Sequence, residues 1–123
     1  MEESILESIK KLLGAENLEE FDDNIRIFIN GGLNILTENG VGDPKGFRIT
    51  ENNETWSDFI TNDNPILYEL CKDYIFLRTK ILFDSEQIKG GTLTAYKEQM
   101  NEVLWRICQQ ADPADFFETH KED

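Results

Sequence analysis

A chain of 123 residues has the length of a single domain, which excludes most multi-domain enzyme architectures. Its 25 acidic residues outnumber its 12 basic residues and give a formal net charge of −13, so the chain does not suit a protein that grips a phosphate backbone. A hydrophobic fraction of 39%, with eight Phe, excludes the disordered class. We therefore expect one acidic, folded domain.

The few residues with metal-ligating or nucleophilic side chains indicate no catalytic or metal site. Cys71 and Cys108 lack a CxxC spacing, and only His120 could accompany them. His120 falls in the acidic tail, where nothing would hold it as a general base. The sequence also has no Gly-rich phosphate loop, HExxH motif, nucleophile elbow or calcium loop. We expect no enzyme, no cofactor and no metal ion, and a reducing compartment.

The start of the chain carries no targeting pattern. Met1-Glu2-Glu3 is acidic and precedes no long apolar stretch, so no signal peptide is expected. No apolar run approaches the roughly 20 residues of a membrane span. We expect the protein to be made and used in the cytoplasm, or to be assembled into something there.

The first predicted helix spans residues 3–13, where apolar residues recur at helical spacing, and Gly14 is suited to end it. A linker over residues 14–21 then leads to a second helix. Asp22 or Asp23 is the expected N-cap of this second helix, because a short acidic side chain accepts hydrogen bonds from the first free N–H groups.

The second helix carries an unusual glycine pair in its middle, Gly31-Gly32, although its apolar period continues through the pair. Each Gly costs about 1 kcal/mol relative to Ala in a helix interior. The pair therefore marks either a close approach of the helix backbone to a neighbour or a break in the helix, and both interpretations stay open.

Residues 39–55 form a predicted long loop, because the helical period disappears among Asn, Gly and Pro residues. A short apolar and polar alternation at Phe47-Arg48-Ile49 leaves room for a short β-hairpin. Loops beyond about 12–15 residues in compact domains are usually functional or disordered. We therefore treat Phe47, Arg48 and Ile49 as candidate interaction residues; a solvated insertion without a partner is the alternative.

Two long helices follow a short helical segment near Trp56. Pro65 is suited to be the first residue of a helix that runs to about Phe83, since that position tolerates the missing N–H of proline. Cys71 lies on its apolar face and is interpreted as a buried thiol. After a polar connection over residues 84–91, Thr92 is the expected N-cap of a last helix that ends near Gln110.

Trp105 lies at the margin of the apolar face of the last helix. A large aromatic residue there either completes the subunit core, which is the favoured interpretation, or anchors a partner. Ala111-Asp112-Pro113 ends the helix, and residues 112–123 form an acidic tail that is expected to be flexible. Phe116 and Phe117 are the only candidates for burial in this tail and join the candidate interaction residues.

The negative charge is unevenly distributed. Residues 1–71 hold fifteen acidic and five basic residues, and the tail holds five acidic residues and one lysine. Residues 72–106, which include most of both long helices, hold six basic and five acidic residues. The acidity therefore belongs to the amino-terminal part and to the tail, while the long helices are free to pack.

Six short motifs follow one another along the chain. They are Phe21-Asp22 leading into Ile29-Asn30, Asn39-Gly40-Val41-Gly42, Thr55-Trp56, Tyr74-Ile75, Leu82-Phe83-Asp84 and Glu102-Val103-Leu104-Trp105-Arg106. Together, over residues 3–110, they resemble the tailed-phage head-tail connector family, small adaptor proteins that dock under the portal. Two positions depart from the family pattern: Ser85 stands where Pro is common, and Gly31-Gly32 stands where small residues such as Ala are usual.

The resemblance implies an all-α, non-enzymatic subunit that forms a ring with neighbouring copies of itself under the portal protein. It implies that the ring extends the DNA channel, lets genome DNA pass without sequence-specific binding, and offers a platform to a downstream head-completion or tail protein. Residues 39–54 and 93–123 are the segments that it implicates in contacts with the portal and neighbours. The expected location is the head-tail interface of the virion, after assembly in the host cytoplasm, with no membrane.

We therefore predict an all-α fold, a small bundle of about four to five helices with two long antiparallel helices and a long inter-helix loop. Residues 1–111 are predicted to form the helical domain and residues 112–123 the tail. A different function stays open, that of a small acidic inhibitor or DNA mimic binding a basic host protein, although the balanced long helices argue against it. An enzyme built on unrecognised residues is a third alternative.

Overall fold

The computed structural model describes residues 3–61, 64–84 and 88–111, and these residues form an all-α bundle, as predicted. The α-helices, in chain order, are α1 (Ile5–Leu13), α2 (Asp22–Glu38), α3 (Trp56–Phe59), α4 (Pro65–Phe83) and α5 (Gly90–Ala111). A single 3₁₀ turn, Glu19–Phe21, precedes α2. The predictions for Ser85 and the acidic tail lie outside the described residues.

Helix α1 ends at Leu13 as predicted but begins at Ile5, two residues later than predicted. The Ser4 side chain accepts a hydrogen bond from the Glu7 N–H at 3.1 Å and so caps the first turn. Gly14 adopts a left-handed conformation, with φ 76°, which a residue without a Cβ reaches at little cost, and its N–H bonds the carbonyls of Lys10 and Lys11. The short helix therefore has a defined length.

The predicted N-cap of α2 is wrong. Phe21, the last residue of the 3₁₀ turn, occupies that position, and Asp22 and Asp23 lie inside the first turn of α2. Asp22 instead pairs with the buried ammonium of Lys10 at 2.7 Å, which ties α2 to α1. Both carboxylates still stabilise the helix, because its N-terminus carries a partial positive charge.

The glycine pair of α2 does not break the helix. Helix α2 runs continuously from Asp22 to Glu38 and packs against α4. A Cβ added at Gly32 would lie 2.6 Å from Cδ1 of Ile75, and one at Gly31 would lie 3.0 Å from Nη2 of Arg78. Close packing is therefore the correct interpretation of the two that the sequence left open.

Helix α4 is the centre of the bundle, since α1, α2 and α5 all pack against it. Pro65 is its first residue, and the Asn64 side chain accepts from the Leu67 N–H at 3.1 Å. The end of α5 meets the start of α4 through Asn64 and Gln110, so the two long helices are antiparallel, as predicted. Cys71 is buried as predicted, and this burial raises the pKa of its thiol to about 12.

Two further features differ from the predictions, the start of α5 and the structure of the loop. Helix α5 already begins at Gly90, so Thr92 lies inside the helix and does not cap it. The segment 39–55 contains no β-hairpin; its only strand-like pairing is a bridge between Thr55 and Ser4, next to an Ile5 N–H bond to the Glu54 carbonyl at 2.8 Å. The apolar alternation in the loop reflects burial of single side chains and not pairing of two strands.

Candidate interaction surfaces

The most exposed aromatic side chain among the described residues is Trp105 on α5, which is 64% exposed. Val103 and Ile107 are buried, and Trp105 lies midway between them, about 200° around the helix from each. The favoured interpretation of Trp105 as a core residue is therefore wrong. The alternative interpretation, an anchor for a partner, stays a prediction.

Trp105 forms one side of a shallow groove of about 320 Å³ between the end of α5 and the start of α4. The groove is lined by Ile66, Leu70, Trp105, Arg106, Gln109 and Gln110. Ile66 is 58% exposed, so apolar side chains of both helices face solvent here. We call these six residues the Trp105 groove.

The rim of the Trp105 groove is polar and carries one cation. The Arg106 guanidinium donates to the Glu102 carboxylate at 3.1 Å, and both side chains are more than half exposed. An exposed ion pair of this kind contributes little to stability and leaves the guanidinium accessible. An apolar floor inside a polar rim is the composition of a protein docking site.

The three candidate residues of the loop have different environments. Ile49 is buried in the core, and Phe47 is half-buried with its ring centroid 5.3 Å from that of Phe59. Only Arg48 is exposed. Ile49 and Phe47 therefore hold the loop in place, and Arg48 is the side chain of the three that reaches solvent; its role in an interface stays a prediction.

Asn30 of α2 holds the middle of the loop through both groups of its side-chain amide. Its Nδ2 donates to the Ile49 carbonyl at 2.9 Å, and its Oδ1 accepts from the Ile49 N–H at 2.7 Å. This pairing replaces the hydrogen bonds that a neighbouring strand would supply. The sequence analysis missed Asn30 in this role, because nothing in the sequence distinguishes it from a solvated Asn on a helix.

Hydrogen bonds within the loop and with the start of α1 hold the last residues of the loop in place. Glu54 accepts from the N–H and hydroxyl of Thr50, at 2.8 and 2.9 Å, and from the Glu51 N–H. Burial alone would raise the pKa of the Glu54 carboxyl, but these hydrogen bonds outweigh it, and the pKa is lowered. Asn52 donates to Glu7 and accepts from Ser4, which joins the loop to α1.

The start of the loop adjoins the end of α5. The Cys108 thiol contacts the Asn39 side-chain oxygen at 3.4 Å, and Asn39 is the residue that follows α2. The start of the loop and the end of α5 therefore lie at the same end of the bundle. Phe116 and Phe117 lie outside the described residues, so the structure does not place them.

Sequence reasoning also missed Ile66. Its only signal was an apolar residue at helical spacing from Leu70 in the first turn of α4, a pattern that burial explains equally well. The described residues contain no group of His, Cys, Asp and Glu side chains that could hold a metal ion. No helix in the described part of the chain has the length and apolar character to cross a membrane.

A small helical bundle with an exposed apolar groove and a firmly held loop is typical of a structural protein that acts through its surfaces. A family model described as phage connector protein matches residues 5–114 of the chain. The chain belongs to the phage connector protein family, which confirms the resemblance that the six motifs carry. The family is structural and implies association with portal and head-tail proteins at the virion head-tail interface. No curated protein and no solved structure matches the chain significantly.

Proposed function

We propose that this protein is the head-tail connector of a tailed phage or prophage and assembles as a ring under the portal. In this role it is made in the host cytoplasm, extends the DNA channel, and provides a docking platform for the next head-completion or tail protein. The observation that carries the proposal is the exposed Trp105 groove in a chain of the connector family. Large exposed aromatics in apolar grooves are frequent anchors of protein interfaces.

The contact between Cys108 and Asn39 supports this assignment. The resemblance implicates residues 39–54 and 93–123 in binding the portal and neighbouring copies, and this contact brings the loop and the end of α5 together. The same end of the bundle carries the apolar groove, which lies between the end of α5 and the start of α4. We propose that this end is the docking surface.

The experiment is incubation with the cognate portal protein, followed by mass measurement and electron microscopy. We expect a ring on the portal for the native chain, and at least about a tenfold loss of affinity for Trp105→Ala, which removes a central aromatic anchor. Ile27→Ala is the matched control, because Ile27 on α2 is equally exposed, at 66%, and lies outside the groove.

Two outcomes contradict the proposal. Absence of any ring or portal complex at high concentration would contradict the connector role itself. Equal binding by Trp105→Ala and Ile27→Ala would contradict the choice of docking surface. A chain that stays monomeric and binds a basic host protein instead would favour the acidic inhibitor that the sequence left as the alternative.

We further propose that exposed carboxylates of the amino-terminal part line the channel. Glu16, Glu19, Glu20 and Asp23 are all exposed within eight residues at the start of α2. A negative lining repels the DNA backbone, so the genome slides past without forming ion pairs. Replacing the three Glu residues by Gln should slow DNA ejection, measured by the release of DNA from purified particles.

The control for this charge test neutralises two acids of the balanced segment 72–106 and is compared with the Glu19→Gln, Glu20→Gln pair. Asp73 and Glu98 are exposed and lie outside the Trp105 groove, so changing them to Asn and Gln removes two negative charges and leaves the docking surface intact. Ejection should stay at the native rate in this control. Equal rates in the native phage and in the Glu16, Glu19, Glu20 variant would contradict the proposed lining.

A further inference from the structure

The Trp105 groove is open, and the end of the described chain lies directly beside it. Helix α5 ends at Ala111, one residue after the last groove residue, Gln110. Twelve further residues follow, and their only large apolar side chains are the adjacent Phe116 and Phe117. An exposed apolar groove and an apolar pair on the adjoining segment are complementary in chemistry and close along the chain.

We propose that Phe116 and Phe117 of the same chain bind the Trp105 groove in the free subunit and cover it before assembly. The inference rests on the proposed function only for the partner that later displaces the tail. The inference gives residues 112–123 a defined binding site. The docking surface then becomes accessible only to a ligand that binds the groove more strongly than the tail does.

The length of the tail fits this groove. Pro113 lacks an N–H and cannot continue a helix, so its sequence position favours an end of the helix just before it. Trp105 lies six residues before Ala111, which is about 9 Å back along the helix. Residues 112–116 span at most about 18 Å when extended, so Phe116 reaches Trp105 after a reversal of the chain.

The length of residues 112–116 also excludes a binding site for Phe116 at the other end of the bundle. Leu82 is an exposed apolar residue of α4, sixteen residues beyond Ile66 and therefore about 24 Å from the groove. The five residues from Asp112 to Phe116 span at most about 18 Å, which is too short to cover that distance. Of these two apolar sites, the tail reaches the groove and not Leu82.

Charge supports the same contact. Asp115 and Glu118 flank the phenylalanine pair, and Arg106 supplies an exposed guanidinium at the groove rim. A carboxylate can share this guanidinium with Glu102, because Arg presents five donors. A tethered segment also has a high effective concentration at a site within its reach, so a weak contact of two rings is sufficient for occupancy.

Tryptophan fluorescence tests the contact in the full chain. The protein has two Trp residues, and Trp56 is only 1% exposed, so acrylamide quenching reports on Trp105. Phe116→Ala with Phe117→Ala should raise the quenching constant about twofold, because the indole regains the solvent contact that the two rings remove. Glu122→Ala with Asp123→Ala is the matched control in the same tail and should leave quenching unchanged.

Two further measurements decide the outcome. Trp105→Phe should abolish the quenchable signal, which assigns it to Trp105. Protection that is the same at protein concentrations about a hundredfold apart supports binding within one chain, whereas protection only at the higher concentration overturns it in favour of a second copy. Equal quenching of the native chain and the double Phe variant also overturns the inference. If the portal protein does not bind the chain, the proposed function is contradicted. The quenching measurement still tests the contact between the tail and the groove, because it needs no portal.

Discussion

Gly31 and Gly32 are adjacent on α2 but meet different surroundings. The nearest atom to a Cβ at Gly32 is Cδ1 of Ile75, a fully buried side chain, at 2.6 Å. The nearest atom to a Cβ at Gly31 is Nη2 of Arg78, the far end of a flexible and partly exposed side chain, at 3.0 Å. Close packing therefore requires a glycine at one position and not at the other.

These two glycines give a matched pair of substitutions. Gly32→Ala should lower the free energy of unfolding by about 1–2 kcal/mol, since overpacking a buried Ile outweighs the gain in helix propensity. Gly31→Ala should raise it by up to about 1 kcal/mol, because Arg78 can move aside. Urea unfolding of both variants measures the difference, and equal effects at the two positions would contradict this account.

The pKa of Glu54 makes the stability of the folded protein depend on pH. Its carboxylate is stabilised by three hydrogen bonds from Thr50 and Glu51, so its pKa is lower in the folded protein than its ordinary value of 4.5. A lowered pKa stabilises the fold above the unfolded-state value, and this contribution is lost as the pH falls through the folded-state value.

Glu54→Gln should therefore be less stable than the native chain at pH 7, and the difference should narrow as the pH falls below 4.5. Thermal unfolding over a series of pH values measures this. Glu98→Gln is the control, an exposed carboxylate of α5 without a described hydrogen bond or ion pair. A constant difference between Glu54→Gln and the native chain at every pH would contradict the role of the ionised form.

At the scale of elements, the loop over residues 39–55 is held by its neighbours and not by strand pairing. Asn30 bonds both backbone groups of Ile49, and Trp56 donates its indole N–H to Ser8 of α1 at 2.9 Å. The loop therefore has a fixed path between α2 and α1, although it contains no regular secondary structure from Asn39 to Glu54.

Asn30→Ala should release the middle of this loop and lower the free energy of unfolding by about 1–3 kcal/mol, because two hydrogen bonds are lost together. Hydrogen exchange of the Ile49 amide should accelerate, and this local readout separates loop release from a general loss of stability. Asn34→Ala, on the exposed face of the same helix, is the control. Unchanged exchange at Ile49 in Asn30→Ala would exclude Asn30 as the residue that holds the loop.

The helix ends show which boundaries depend only on neighbouring residues in the sequence. Gly14 and Pro65 fix helix ends through their own backbone chemistry, so the sequence predicts those ends correctly. The predicted start of α1 was two residues too early, because Ser4 lies outside the helix and caps it. The N-cap of α2 was wrong because Asp22 pairs with Lys10, a residue of another helix. The start of α5 was wrong because Gly90 and Gly91 continue into the helix in spite of their low propensity.

For the whole molecule, α4 organises the bundle, and every buried residue of the described core precedes the tail. The last of these is Ile107 on α5, which is fully buried. The fold of the helical domain therefore depends on residues up to the end of α5, and the tail is available for its proposed contact with the Trp105 groove.

A chain that ends at Ala111 should keep its helical circular dichroism, because no buried residue of the described core is removed. Its unfolding midpoint should fall only by the small contribution of the proposed contact between the tail and the Trp105 groove. A chain that ends at Leu104 is the control and should lose about 2–5 kcal/mol, since it lacks the buried side chain of Ile107. A large loss of helical signal in the longer chain would place essential contacts in residues 112–123.

The sequence by itself determined the all-α class, the two long helices, the buried thiol of Cys71 and the connector family, because periodicity and short motifs are properties of neighbouring residues. Only the tertiary structure decided that Trp105 faces solvent, that Ile49 is buried, and that Gly32 packs on Ile75. Each of these depends on which helix lies opposite a residue. Residues far apart in the chain set that arrangement, and their local patterns are the same for a core face and for a docking face.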